Sequence, residues 1–373
     1  MKRRFGLALA VLLSAGVVAA VIWHAWVGAQ VRATIVLSTT IRTPVLTWTV
    51  GVLTADPRVE EARVAGLPST LARPGGRGPW PALVFVNGAT RRGRHHPDVQ
   101  RLARGLARAG YLVLVPDLPG LRRGEITDRT VAGTVAAGLA VANRSDARHH
   151  RVGFVGVSVG ATLALLAAED PRLAGRVAFI GGIAPYSDLR KVVRLATTGV
   201  YANNRYETDD YLPLAVARSL AAGLAPGRDR RRLVRALNAI PDDQTDPLAG
   251  LPQRNLGRPA RALVALLENR DPGRYDALYR RLSARLRAGI ARLSPIRRAT
   301  RLRTRIVLAS APHDKYFPTD ESRALSRATP DANVSFTVTR TLDHAIPKPS
   351  LKDLADLFRF DGFVVRALRA ASG

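Results

Sequence analysis

A serine hydroxyl is a poor nucleophile until a base takes its proton and an acid orients that base. Gly156-Val157-Ser158-Val159-Gly160 has the form G-x-S-x-G, a pattern that places a serine where such help can be arranged. It suits a sharp strand-to-helix turn on which the serine takes a strained backbone conformation. Gly156 and Gly160 then remove side chains that would clash. The context agrees: the apolar run 152–155 ends just before the pentapeptide, and the helix former Ala161 follows it. Ser158 is therefore the expected nucleophile. A glycine-rich turn that merely joins strand to helix is the plainer alternative.

In the strand-and-helix fold to which this pattern belongs, the chain order is the serine, then Asp or Glu, then His. Downstream of Ser158 the only histidines are His313 and His344. His344 comes after the last expected strand and before the closing helix, so it is the expected base, while His313 reads as a loop residue. Asp314, directly past the run 306–309, is the expected acid, holding the His344 ring in the useful tautomer. Asp188 is the fallback. Asp343 is weaker, because a carboxylate adjacent in sequence points away from the same ring. The first amide of the helix after the elbow, Val159 N–H, is the nearest oxyanion donor. A second donor is expected from the loop after 82–86, either Ala89 or Gly88. The pairs His95-His96 and His149-His150 read as solvated loops, since neighbouring histidines rarely converge on one ion and no third ligand stands at useful spacing. No metal and no cofactor is expected.

The elements that must carry these residues alternate. Runs at 59–64 and 67–72 look like an opening strand pair. Buried-strand runs follow at 82–86, 111–115, 151–155 and 177–181, with helical stretches at 99–109, 129–143 and 161–169 between them. Such alternation predicts a mostly parallel sheet with helices on both faces. The pattern lapses over 189–293, which reads as all-helical and Arg-rich, and resumes with a strand at 305–309, a helix near 321–328, a strand at 333–339 and a helix at 351–370. An insertion of that length is expected to be a lid or cap, because structureless loops so long are rare. Within it, Leu278, Leu282, Leu286, Ile290 and Leu293 form one apolar stripe among arginines, read as a helix lying on the core or on a membrane surface. Tyr201, Tyr206 and Tyr211 cluster with Asn203 and Asn204, as pocket lining or simple packing.

Composition bounds the rest. With 47% hydrophobic residues the chain can build one large core. It has no cysteine, which excludes disulfides and thiol chemistry. The formal charge of +28 suits arginine-rich solvated surface or attraction to anionic headgroups. No nucleic-acid motif accompanies it, so no nucleic-acid partner is expected. Lys2, Arg3 and Arg4 precede an apolar run over 5–27, long enough to approach a membrane span. Residues 1–30 are read as an anchor with the rest of the chain on the extracytoplasmic side, or as a cleaved signal that leaves a secreted protein. Residues 31–57 read as a juxtamembrane segment.

These residues resemble the α/β-hydrolase family, especially its dienelactone-hydrolase-like and acyl-esterase branches. The resemblance covers about 58–188 and 294–370. Besides the G-x-S-x-G pentapeptide it rests on Tyr111 through Gly120, on Ser294-Pro295 leading into 305–309, and on Asp314 through Pro318. It implies an α/β-hydrolase core over 58–188 and 294–373 with a helical lid over 189–293. Two positions depart from the family pattern. Asn87-Gly88 stands where many members have His-Gly, which alters loop support or the pocket rim, and Ala161 replaces a common glycine. The implied activity is hydrolysis of a small-molecule or lipid-like carboxylic ester through an acyl-enzyme. Acyl transfer or thioester cleavage by the same residues is the neighbouring reading, and a non-catalytic envelope binding protein on the same scaffold is the distant one. Nothing points to peptidase action.

Overall fold

The computed structural model describes residues 26–40, 51–52, 54–330, 332–350 and 352–372. Its centre is a sheet of eight strands: β1 (Arg58–Val64), β2 (Leu67–Arg73), β3 (Trp80–Val86), β4 (Leu112–Pro116), β5 (Ala147–Val157), β6 (Val177–Ile183), β7 (Arg305–Ser310) and β8 (Val334–Val338). They lie in the order β1-β2-β4-β3-β5-β6-β7-β8. β2 runs antiparallel to both β1 and β4, and all other neighbours are parallel. The swap of β3 and β4 in that order reverses the winding of the chain at β3, whose carboxyl end lies beside that of the parallel β5.

β3, β4 and the half of β5 that leads to Ser158 are apolar because both their faces are covered. In β3, Ala82, Val84 and Val86 join one core while Leu83 and Phe85 join the other, the two-residue alternation of an extended chain. On the first face lie α2 (Asp128–Ala142) and α3 (Val159–Ala168). On the second lie α1 (Pro97–Arg108) and the closing helix, whose Phe360, Phe363 and Leu368 are buried with Phe85 and Phe179. Gly138 and Gly153 permit this closeness: a Cβ on Gly138 would lie 2.6 Å from the Phe154 ring, and one on Gly153 would lie 2.2 Å from that of Phe179.

Between β6 and β7 the chain builds α4 (Leu189–Thr198), α5 (Tyr211–Ala222), α6 (Arg228–Ala239), α7 (Arg258–Leu267), α8 (Tyr275–Arg281) and α9 (Ala284–Arg292); α10 (Thr319–Ala328) and α11 (Leu354–Ser372) follow β7 and β8. Two details differ from the sequence reading of this insertion. It is not wholly helical, since Val200–Tyr201 and Asn204–Arg205 form a small antiparallel hairpin. The leucine stripe is not one helix either. Leu278 and Leu286 belong to separate helices broken at Leu282-Ser283, where the Ser283 hydroxyl accepts the Leu286 N–H at 3.3 Å and caps a new start. All five stripe residues are buried in the main core.

The apolar amino-terminal run that suggested a membrane anchor lies, up to residue 25, outside the described residues. Among the described residues no helix is long and apolar enough to cross a membrane. Residues 26–40, partly within the expected juxtamembrane segment, form a helix that docks on the second face of the sheet. Ala29, Ala33 and Val36, one helical stripe, are buried there, and Gln30 donates to Asp361 of α11 at 2.9 Å.

Candidate active site

β5 delivers the chain to Ser158 at the carboxyl edge of the sheet, and α3 starts one residue later. Ser158 has φ 57° and ψ −131°, a conformation a non-glycine residue adopts only when its surroundings enforce it. Enforcement comes from both sides. Its N–H donates to the Ile183 carbonyl at 2.7 Å, and its own carbonyl accepts from Ala161 N–H at 2.9 Å. The glycines allow the backbones to touch. A Cβ on Gly160 would sit 2.1 Å from the Val86 carbonyl oxygen, and one on Gly156 would sit 2.5 Å from the Ala161 Cα. The first amides of α3, Val159 included, have no carbonyl one turn earlier to bond, so they are available to an anion.

Asp314 follows β7 and is completely buried. Its Oδ1 accepts from the N–H groups of Tyr316 and Phe317 at 2.8 and 2.9 Å, which hold the carboxylate in place. The Tyr206 hydroxyl donates to the Asp314 carbonyl at 2.5 Å. Against the carboxylate lies His344, its Nδ1 at 2.8 Å from Oδ1 and 2.7 Å from Oδ2. An ionised carboxylate only accepts, so Nδ1 is the donor, and in the neutral ring Nε2 is the nitrogen that carries the lone pair. His344 sits at φ 53° in the turn of a small hairpin, Leu342–Asp343 with Ile346–Pro347. Tyr316 packs on its ring at 4.5 Å between centroids and Phe317 at 5.9 Å.

Ser158, Val159, Gly88, Ala89 and His344 line one cavity of about 510 Å³. The loop after β3 presses on the elbow, because a Cβ on Gly88 would lie 3.3 Å from the Val157 carbonyl oxygen. Asn87 is buried and its Nδ2 donates to the Gly88 carbonyl at 2.7 Å, so it braces that loop from within.

The other candidates are placed elsewhere. Asp188 caps α4, accepting the Arg190 N–H at 2.9 Å. Asp343 pairs with Lys348, whose hydrogen bond holds its carboxyl below the usual range. His313, His95, His149 and His150 are exposed, the last two on β5 and not in a loop. His96 departs from the solvated reading. It caps α1 and forms part of the cavity wall, and burial with the nearby Arg92 and Arg101 lowers its pKa. Of the three tyrosines only Tyr211 lines the cavity; the Tyr201 hydroxyl donates to Glu321 at 2.6 Å. Among the described residues no group of three His, Asp or Glu side chains is placed to hold a metal.

Two supports had no role assigned from sequence. Tyr316 and Phe317 follow the acid in sequence, yet their contact with His344 needs the fold. Glu321, fully buried, accepts from the Ser187 N–H and hydroxyl and from the Asp188 N–H, pinning the start of the insertion to α10.

No curated protein matches the chain significantly. Solved structures similar to it include dipeptidyl peptidase 4 of Porphyromonas gingivalis, at 13% identity and TM-score 0.48 over 84% of this chain. This chain spans 36% of that peptidase's length. An esterase of the bacterial hormone-sensitive lipase family is 18% identical with TM-score 0.46, covering 92% of this chain and 98% of its own. A hormone-sensitive lipase from a metagenome library is 12% identical with TM-score 0.47, covering 84% and 85%. A family model described as the alpha/beta hydrolase family matches residues 83–346, more than half of the sequence, and the chain belongs to that family.

Proposed function

We propose that the protein is a serine hydrolase that cleaves carboxylic esters through an acyl-enzyme. The observation that carries this reading is the buried Asp314 carboxylate on His344 Nδ1, which makes Nε2 the basic nitrogen of the neutral ring, and that ring lines the same cavity as Ser158. In the first half-reaction Ser158 Oγ attacks the acyl carbon while its proton passes to His344 Nε2. The carbonyl oxygen gains negative charge and takes hydrogen bonds from Val159 N–H and Ala89 N–H. When the tetrahedral adduct collapses, the carbon–oxygen bond to the alcohol breaks and His344 returns the proton to that oxygen. Water then attacks the acyl carbon as its proton passes to Nε2; the bond to Ser158 Oγ breaks, His344 returns the proton to Oγ, and the acid leaves. Asp314 keeps the ring oriented and stabilises the imidazolium without taking the proton. The insertion 189–293 acts as the cap that shapes the substrate's entry, and Tyr211 belongs to its wall. The basic, apolar amino terminus tethers or exports the enzyme, so the reaction takes place outside the cytoplasmic membrane.

The test is fluorophosphonate labelling paired with hydrolysis of p-nitrophenyl esters. Labelling should vanish in Ser158→Ala, and kcat/KM should fall by about 10⁴-fold or more with the fold retained. Labelling of the Ser158→Ala protein at the wild-type level would overturn the proposal.

A further inference from the structure

On the second face of the sheet lies an apolar pocket that is partly open to solvent. A cavity of about 380 Å³ lies between the strands, α1, α11 and the helix over 26–40. Its walls are largely apolar: Phe85 and Phe179 from the sheet, Leu102 and Leu106 from α1, Phe360 and Phe363 from α11. Apolar walls offer the water in such a pocket few hydrogen-bond partners. It therefore suits an apolar occupant.

Its position names the occupant. Gly88, Val99, Val157 and Ile346 line both this cavity and the one that holds Ser158. Gly88 belongs to the loop beside the elbow and Val157 directly precedes Ser158, so the two spaces adjoin at the elbow. Small residues keep it open. The nearest atoms to a Cβ on Gly181 would be the Phe179 ring at 3.2 Å and the methyl carbons of Ala367 at 3.8 Å and Val155 at 3.9 Å. Val36 and Leu37 of the helix over 26–40 line its outer side.

We infer that this cavity receives the acyl chain of the substrate, so that the ester attacked by Ser158 is that of a long-chain fatty acid. The inference rests on the hydrolase reading for its chemical step, but the chain-binding site stands on the packing alone. The experiment follows acetyl, octanoyl and palmitoyl p-nitrophenyl esters on the full chain, together with binding of the fluorescent fatty acid parinarate and its displacement by palmitate. Ala367→Phe on α11 and Gly181→Val on β6 fill the cavity from different elements, so a folding failure of one leaves the other. Filling should lower kcat/KM for the palmitoyl ester by about tenfold or more, as lost pocket contacts do, and weaken parinarate equally. Acetyl ester turnover should stay within about twofold. Unchanged proportions among the three esters and unchanged parinarate binding in the filled variants would overturn the inference. So would acetyl turnover by the wild type without parinarate binding. Parinarate binding that Ala367→Phe abolishes, in a protein that turns over no ester, would keep the chain site and end the hydrolase reading.

Discussion

At the scale of single residues, burial and partners decide what a carboxyl group does. Asp314 and Glu169 are both buried acids with opposite circumstances. Asp314 receives two backbone N–H groups and an imidazole, a setting that satisfies an anion. Glu169, at the end of α3, has a side chain 1% exposed and no hydrogen bond to either oxygen; Arg298 Nε stands 3.3 Å from Oε2 without bonding geometry. Burial pushes the Glu169 carboxyl up to about 8, against the pull of Arg298 and Arg301. The folded chain thus keeps a proton that the unfolded chain, titrating near 4.5, has already lost. The associated stability is fully present below that lower value and drains away as pH rises to about 8, on the order of a few kcal/mol in total. Thermal unfolding at about pH 5 and about pH 9 should therefore show a fall in Tm that Glu169→Gln markedly reduces. Equal falls in both proteins would refute this assignment.

At the scale of elements, the turn between β5 and α3 depends on backbones in contact. The obstacle at Gly160 is a main-chain carbonyl, not the movable end of a side chain, so even a methyl group forces strand and helix apart. Gly160→Ala should cost about 3 kcal/mol or more and lower Tm accordingly. Gly227→Ala, where an added Cβ meets nothing within 4 Å, is the control and should cost no more than the loss of a glycine helix cap, about 1 kcal/mol. Elements of this kind were legible early. The runs at 82–86 and 177–181 are strands because both faces need apolar side chains, and the parallel sheet follows from the helices between them. The break at Ser283 was not legible. The spacing of Leu278, Leu282, Leu286 and Ile290 fits one helix as well as two, and only the side-chain cap distinguishes them.

At the scale of the whole molecule, the insertion is fastened to the sheet domain through charges beside the cavity. Asp242, just after α6, pairs with Arg91 of the loop following β3 and with Arg218 of α5, the latter at 2.7 Å. Burial alone would raise the Asp242 carboxyl, but hydrogen bonds from Arg91 and Arg218 hold it below the usual range. Arg218 is 3% exposed and donates also to the carbonyls of Leu237, Ile240 and Arg123, joining three segments. Asp242→Ala leaves that buried charge without its carboxylate and should cost roughly 3 kcal/mol, read as a lower denaturation midpoint at unchanged m-value. An unaltered midpoint would show that the backbone carbonyls alone satisfy Arg218.

Sequence by itself determined what local chemistry and local periodicity can carry: the alternating sheet, the elbow pattern at Ser158, and the short set of histidines and acids that chain order admits. It could not determine pairing. Asp188 and Asp314 both follow a strand, and only the folded chain puts the second against His344 and the first at a helix start. Likewise Tyr201, Tyr206 and Tyr211 look alike in sequence but reach Glu321, the Asp314 carbonyl and the cavity respectively. The apolar space beside Gly88 has no sequence signature, because each of its walls reads as ordinary core. Periodicity reports that a side chain is buried; what it is buried against is a property of residues a hundred positions apart, and that is decided only when the chain closes on itself.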